Sequence, residues 1–394
     1  MLQALKNTAA SFRQQSKKSD AVNPLVVQEP IDYSSISRRI IQIISEEHAV
    51  EGPGIEITRP FPTRSLKYFD PWLLVDAFGP KTFPPGHPLL KRSIHLGQHP
   101  HRGFQAITYH VAGDFDHYDS TGRHGRLTAG SVQLMTAGGG IVHGGASAPK
   151  KPGEGLYIHG YQIWLALPAS ERMCPADSMD WHADQTPVVH SPDGKVWARV
   201  IASTELVYGA TCTKIPTAQP IMMVHFVVQP GGVVKQAVPA SFNTMIHVSI
   251  GTGRFGPGLS TSAGAEQSVI FEREEVTSSA AGGPSTSFIE FCCPKDAKGP
   301  LDVLLLAGQP TQEKIIQYGP FVGGSMDDIY AARNDFQAGL MGGLAPDGSP
   351  EPKSVWCRQE PRQPVVVKPE DGRSSNEVAV GGHVNSCWPA TAER

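Results

Sequence analysis

Between residues 38 and 342 the apolar residues come in short runs broken by glycine, proline and polar turns. Phe104–Val111 is rich in β-branched and aromatic residues and contains no proline, so it is expected to be a strand whose side chains alternate between faces. The turns HVAGD, TAGS and TAGGG separate similar runs in a first block. IMMVHFVVQPGGVVKQAV and NTMIHVSIGTGRFG do the same in a second, and the blocks meet near Pro168–Pro192. Two β-barrels or sandwiches in tandem are the economical architecture.

Helical spacing shows near the end of the body. Ile329, Ala332, Phe336 and Leu340 recur on one face, Ser325 and Asp328 form a capping-box-like start, and Gly342 and Gly343 are expected to end the helix. Its apolar stripe is expected to pack against a barrel.

Composition supports the β reading, since 41 glycines and 34 prolines in 394 residues suit many turns better than long helices. Lysine and arginine total 34 against 37 acids, a net charge of −3, so no electrostatic footprint for nucleic acid is present. The longest apolar runs, such as Ile221–Val228, are too short to span a bilayer, and a soluble, intracellular protein is expected. Six cysteines without a CxxC pair fit a reducing compartment. The neighbours Cys292 and Cys293 are expected to be buried as small hydrophobes.

Outside the body, residues 1–37 open with MLQALKNTAASFRQQSKKS, which is basic, amphipathic and free of acids. That composition fits either a mitochondrial targeting segment or a solvated tail. Residues 345–394 read as an irregular tail with a short strand at Val365–Val367.

Candidate chemistry lies in the histidines. In HPHRGFQAITYH, residues 99–110, strand periodicity sends His99, His101 and Gln105 to one side. His143 follows a glycine-rich turn and would enter from another strand, which allows three imidazoles to converge on one ion. The same histidines could instead hydrogen-bond in a polar core without metal. His225 and His247, with no HxH pair or adjacent carboxylate, are expected to be structural.

HPHRGF at 99–104, HYDSTG at 117–122, MTAGGGIVH at 135–143, LLLAGQP at 304–310 and YGPFV at 318–322 resemble, in order, the motifs of the pirins. Pirins are bicupins of the cupin superfamily, built from two tandem β-barrels. The resemblance implies an N-terminal barrel over 38–180 with a mononuclear non-haem metal site, and a metal-free C-terminal barrel with its closing helix over 181–344. The expected cofactor is Fe(II), or another divalent transition metal, on His99, His101 and His143.

This sequence departs from the family at two carboxylates. The ligating glutamate two residues past the last histidine is Gly145, and the glutamate after HPHRGF is Gln105. A site lacking its anion is expected to bind metal more weakly and at a higher redox potential. The family implies two functions: a dioxygenase acting on a flavonol such as quercetin, or an iron-dependent regulatory protein that binds transcription factors. The expected partners are therefore a small aromatic substrate or a protein, with a monomer favoured. With the glutamate gone, the expected proton acceptor is His117, or else Asp119.

Overall fold

The computed structural model describes residues 37–51, 55–92, 94–149, 151, 153–274, 286–345 and 355. The basic N-terminal segment and the expected Val365–Val367 strand lie outside the described residues. Among the described residues, a four-stranded, a seven-stranded, an eight-stranded and another four-stranded sheet form four layers. Each unit is a two-sheet cupin sandwich; ladder pairing does not close either into a barrel.

In the first unit, the large sheet runs in the order Asp177–Trp181, Val132–Thr136, Phe104–Ala112, Leu156–Ala166, Trp72–Phe83, Ile55–Phe61 and Glu47–Glu51. It faces a small sheet in the order Ile94–His101, Ile141–Ser147, Phe115–Asp119 and His124–Leu127. Strand alternation gives the large sheet two unlike faces. Val75, Ile107, Leu134 and Ile163 point outward and pack on Ile201, Met223, Met245 and Leu304 of the second unit's large sheet. Asp76, Thr108, Gln133 and Gln162, their sequence neighbours, line a cavity inside the first sandwich.

The second unit fills the corresponding space with hydrocarbon. Val224, Phe226, Val248 and Leu305 interlock with Val234, Phe255, Ile289 and Phe291, and Cys293 joins this cluster as expected. His225 and His247 lie instead between the units, and the sequence reading missed their carboxylates. His225 Nε2 is 3.0 Å from Asp302 Oδ1 and its Nδ1 2.8 Å from the Tyr109 hydroxyl, while His247 Nδ1 is 2.6 Å from Glu46 Oε1.

Both ends of the body cross between units, which the expected division into 38–180 and 181–344 does not anticipate. Ile40–Ser45 is the edge strand of the second large sheet, paired with Gln267–Phe271. Arg38 clasps it there, donating to Ser287 Oγ, Thr244 Oγ1 and the carbonyls of Phe242, Pro239 and Ala240. At the other end, the Ile316–Tyr318 and Phe321–Gly323 hairpin and the helix Met326–Gln337 pack on the first unit through Val142, Phe321, Ile329 and Ala332. The capping box between Ser325 and Asp328 is present. The helix stops earlier than expected, at Gln337, because Gly339 takes a left-handed φ of 73° and breaks the ladder ahead of Gly342.

Replacing Arg38 with Met should strand several buried acceptors at once. A loss of about 2–4 kcal/mol in unfolding free energy is expected, measured by urea titration.

Candidate metal centre

His99 and His101 end the Ile94–His101 strand, and His143 lies on Ile141–Ser147, its antiparallel neighbour. The register places His143 directly opposite His99 and Ile141 opposite His101. The three imidazoles each offer a nitrogen, all within 4.8 Å of one another. His143 Nε2 and His99 Nε2 are 2.8 Å apart. Two nitrogens sharing one ion through bonds of about 2.1 Å at right angles would lie about 3 Å apart.

Hydrogen bonding leaves these rings ready to ligate. The Gly97 carbonyl can only accept, so His99 donates to it through Nδ1 at 2.8 Å and keeps the lone pair on Nε2. Buried His101 makes no side-chain hydrogen bond and has only a poorly aligned approach to the Pro320 backbone. Burial holds His99, His101 and His143 below the ordinary imidazole pKa, and neighbouring histidines add to this for the last two. Three clustered neutral imidazoles, one of them without a well-formed hydrogen bond, fit a transition-metal ion better than a hydrogen-bonded polar core.

The C-terminal segment braces the site. The Arg102 carbonyl accepts from Val322 N and its guanidinium pairs with Asp335 at 2.8 Å, while Gln98 exchanges hydrogen bonds with the Leu344 backbone. Gly103, at φ 87°, lets the chain turn between the His101 and Phe104 strands, and any side chain there would run into the Val322 carbonyl. That turn breaks the strand periodicity. Gln105 therefore faces away from the histidines, donating to Thr136 Oγ1 and accepting from Ala218 N, so its missing carboxylate does not alter the site.

An open cleft of about 1030 Å³ leads to the centre, with His99, His101, Trp164, Tyr68, Asp76 and Lys67 on its walls. A smaller inner cavity is lined by His99 and His143 and shares Asp76, Glu51 and Gln162 with the cleft. The sequence reading missed Asp76, although a charge inside the apolar run WLLVDAF marks it. Arg59 holds Asp76 through Nε at 2.6 Å and Nη2 at 2.7 Å, and reaches Glu51 at 2.6 Å. Burial raises the Asp76 pKa to about 6 against the pull of Arg59.

The expected proton acceptors lie elsewhere. His117 is held by Asp180 and Gln133, each at 2.8 Å, and stands behind Gln133 rather than on either cavity wall. Asp119 is occupied by Thr121 and Ser178.

Residues 54–165 match the pirin family model, and residues 223–342 match that of the pirin C-terminal cupin domain. A pirin-like protein of Solanum lycopersicum is 30% identical over 305 residues, covering 77% of this chain and 93% of the relative. One from Caulobacter vibrioides is 32% identical over 312 residues, covering 77% and 98%. The chain belongs to the pirin family. A crystal structure of quercetin 2,3-dioxygenase from Acinetobacter baumannii superposes with a TM-score of 0.67 at 26% identity, covering 78% of this pirin and 99% of that chain.

Within this pirin, Gly145 is where the chain's departure from the family motif becomes structural. A Cβ there would strike the Phe115 ring and lie 2.5 Å from the Asp116 carbonyl. The strand ladder is closed up around glycine, and Phe115 occupies the space a side chain would need.

Gly145→Glu is therefore expected to cost about 1–3 kcal/mol in urea unfolding without restoring tight metal binding. Ala in place of His99, His101 or His143 should lower metal affinity more than about tenfold, read by elemental mass spectrometry after equilibrium dialysis. Acid should destabilise the fold, because burial lowers His110 and His159 to about 4 while the unfolded chain takes up protons near 6.5. Their contribution is complete above about 6.5 and is lost as pH falls toward 4; His110→Gln should flatten that slope in urea midpoints.

Proposed function

We propose that this pirin is a mononuclear Fe(II) dioxygenase acting on a hydroxylated aromatic compound of the flavonol class. The observation that carries this reading is the convergence of three neutral histidines at the end of an open, partly aromatic cleft. The likeness to the Acinetobacter quercetin 2,3-dioxygenase supports it. The cleft's volume suits a molecule of several rings.

Fe(II), when bound, supplies adjacent open positions for the substrate oxygens and dioxygen. The chain's own groups do the rest. His99, His101 and His143 take one side of the site and leave the side toward the cleft free. Trp164 edges against His101 at 5.1 Å between ring centroids and stacks on Phe104, making a flat wall for an aromatic ring. The buried Trp164 Nε1 has no partner and can donate to a substrate oxygen. Lys67, exposed at the cleft, complements an anionic substrate.

The test is oxygen uptake with quercetin by protein loaded anaerobically with Fe(II). One dioxygen consumed per flavonol is expected, with loss of at least about a hundredfold in His101→Ala. Loaded protein that consumes no oxygen with flavonols or simpler catechols would refute the enzyme reading and leave the regulatory, partner-binding one.

A further inference from the structure

The site has lost its family carboxylate from the histidine wall, yet two carboxylates face it from the opposite sheet. Asp76 lies mid-strand on Trp72–Phe83, beside Gln162 in the ladder, and lines both the outer cleft and the inner cavity. The cleft is also lined by His99 and His101 and the inner cavity by His99 and His143, so Asp76 shares a space with each of the three histidines. It is 8% exposed and held by Arg59 through both oxygens. A carboxylate has about four lone-pair positions, and a bidentate guanidinium takes two, leaving one free on each oxygen.

We infer that Asp76 is the acceptor for the phenolic proton of a ligand bound at the three histidines, with Arg59 and Glu51 as the positioning residues that fix its carboxylate. This rests on the proposed substrate class. The proton leaves the ligand hydroxyl and joins Asp76 Oδ1 or Oδ2; the ligand oxygen keeps the electron pair as phenolate, and no electrons leave the ligand. Arg59 holds the oxygens without giving up its own proton, since Asp76 and Glu51 raise its already high pKa further. Burial keeps the Asp76 carboxyl near neutrality, where a general base works best. The nascent phenolate then favours protonated Asp76 by like-charge repulsion. Glu51 is less suited to the role itself, being half exposed and bound to the same arginine.

The test uses zinc, which binds imidazole but has no redox chemistry, so its result is independent of oxygen uptake. Catechol, protonated in neutral solution, is titrated calorimetrically into zinc-loaded full-length protein in buffers of different ionisation enthalpy, with ultraviolet absorbance reporting phenolate. The parent protein is expected to bind phenolate with almost no proton released to buffer. Asp76→Asn, at equal zinc content, is expected to release about one proton more per phenolate bound, or to bind catechol at least about tenfold more weakly in its neutral form. Because Arg59 left unpaired in the wall threatens folding, Arg59→Met/Asp76→Asn serves as the second variant, with the same expectation. Equal proton release, affinity and phenolate absorbance in parent and folded variant would overturn the inference. So would parent protein that releases a full proton to buffer. Asp76→Glu should restore the parent's proton balance in part, which a merely structural role for Asp76 would not require.

Discussion

The pairing of His143 against His99 across two antiparallel strands is the constraint on which the rest of the site depends. Nearest-neighbour strands bring facing side chains within about 5 Å, so a single register places two ligands, and the period of two adds His101. That register needs close strands. Gly144 and Gly145 sit at an irregularity in the ladder, and Gly145 lets Phe115 and the Asp116 carbonyl come closer than any side chain would allow. The small sheet is then locked by distant sequence, through Arg102 to Asp335 and Gln98 to Leu344. A centre built on residues 99–143 is thus completed by residues 335–344.

The second feature is the division of labour between sheet faces. One face of the first large sheet is hydrocarbon and bonds the units together; the other mixes aromatic, aliphatic and polar residues and faces the histidines. The second sandwich has the same layers, but its inner positions are valine, phenylalanine and leucine, which leaves no room for polar chemistry. Its large sheet instead holds His225 with Asp302 and His247 with Glu46 in the seam between units. Removing either partner of such a pair would leave a buried charge or an unmet hydrogen bond in an apolar seam. These contacts, together with the exchanged strand Ile40–Ser45 and the returning hairpin and helix, make the units mutually dependent.

The residues lost and gained around the centre follow one physical logic. Phe115 and Gly145 make the wall beside the histidines apolar and tight. Glu51 and Asp76, joined by Arg59, put carboxylates on the large-sheet wall of the same cavities. On the proposed function, acid–base chemistry and metal chemistry would lie on opposite sheets of one sandwich.

Much of this was legible in the chain. Short apolar runs between glycine turns determined a β architecture in two blocks, local period determined that His99 and His101 share a face, and Ser325 with Asp328 determined where the helix starts. These are local properties, settled within a few residues by backbone geometry. Periodicity misled at Gln105, because the Gly103 turn resets which face is inward, and at the helix end, because Gly339 takes a left-handed turn three residues before Gly342 does. Asp76, Arg59 and Glu51 were invisible as a group, since they lie on separate strands and meet only when the sheet is assembled. The carboxylate partners of His225 and His247 lie 77 and 201 residues away in sequence. Which unit each end of the body joins was likewise decided by tertiary packing, because an edge strand or an amphipathic helix records that it must be covered but not by what.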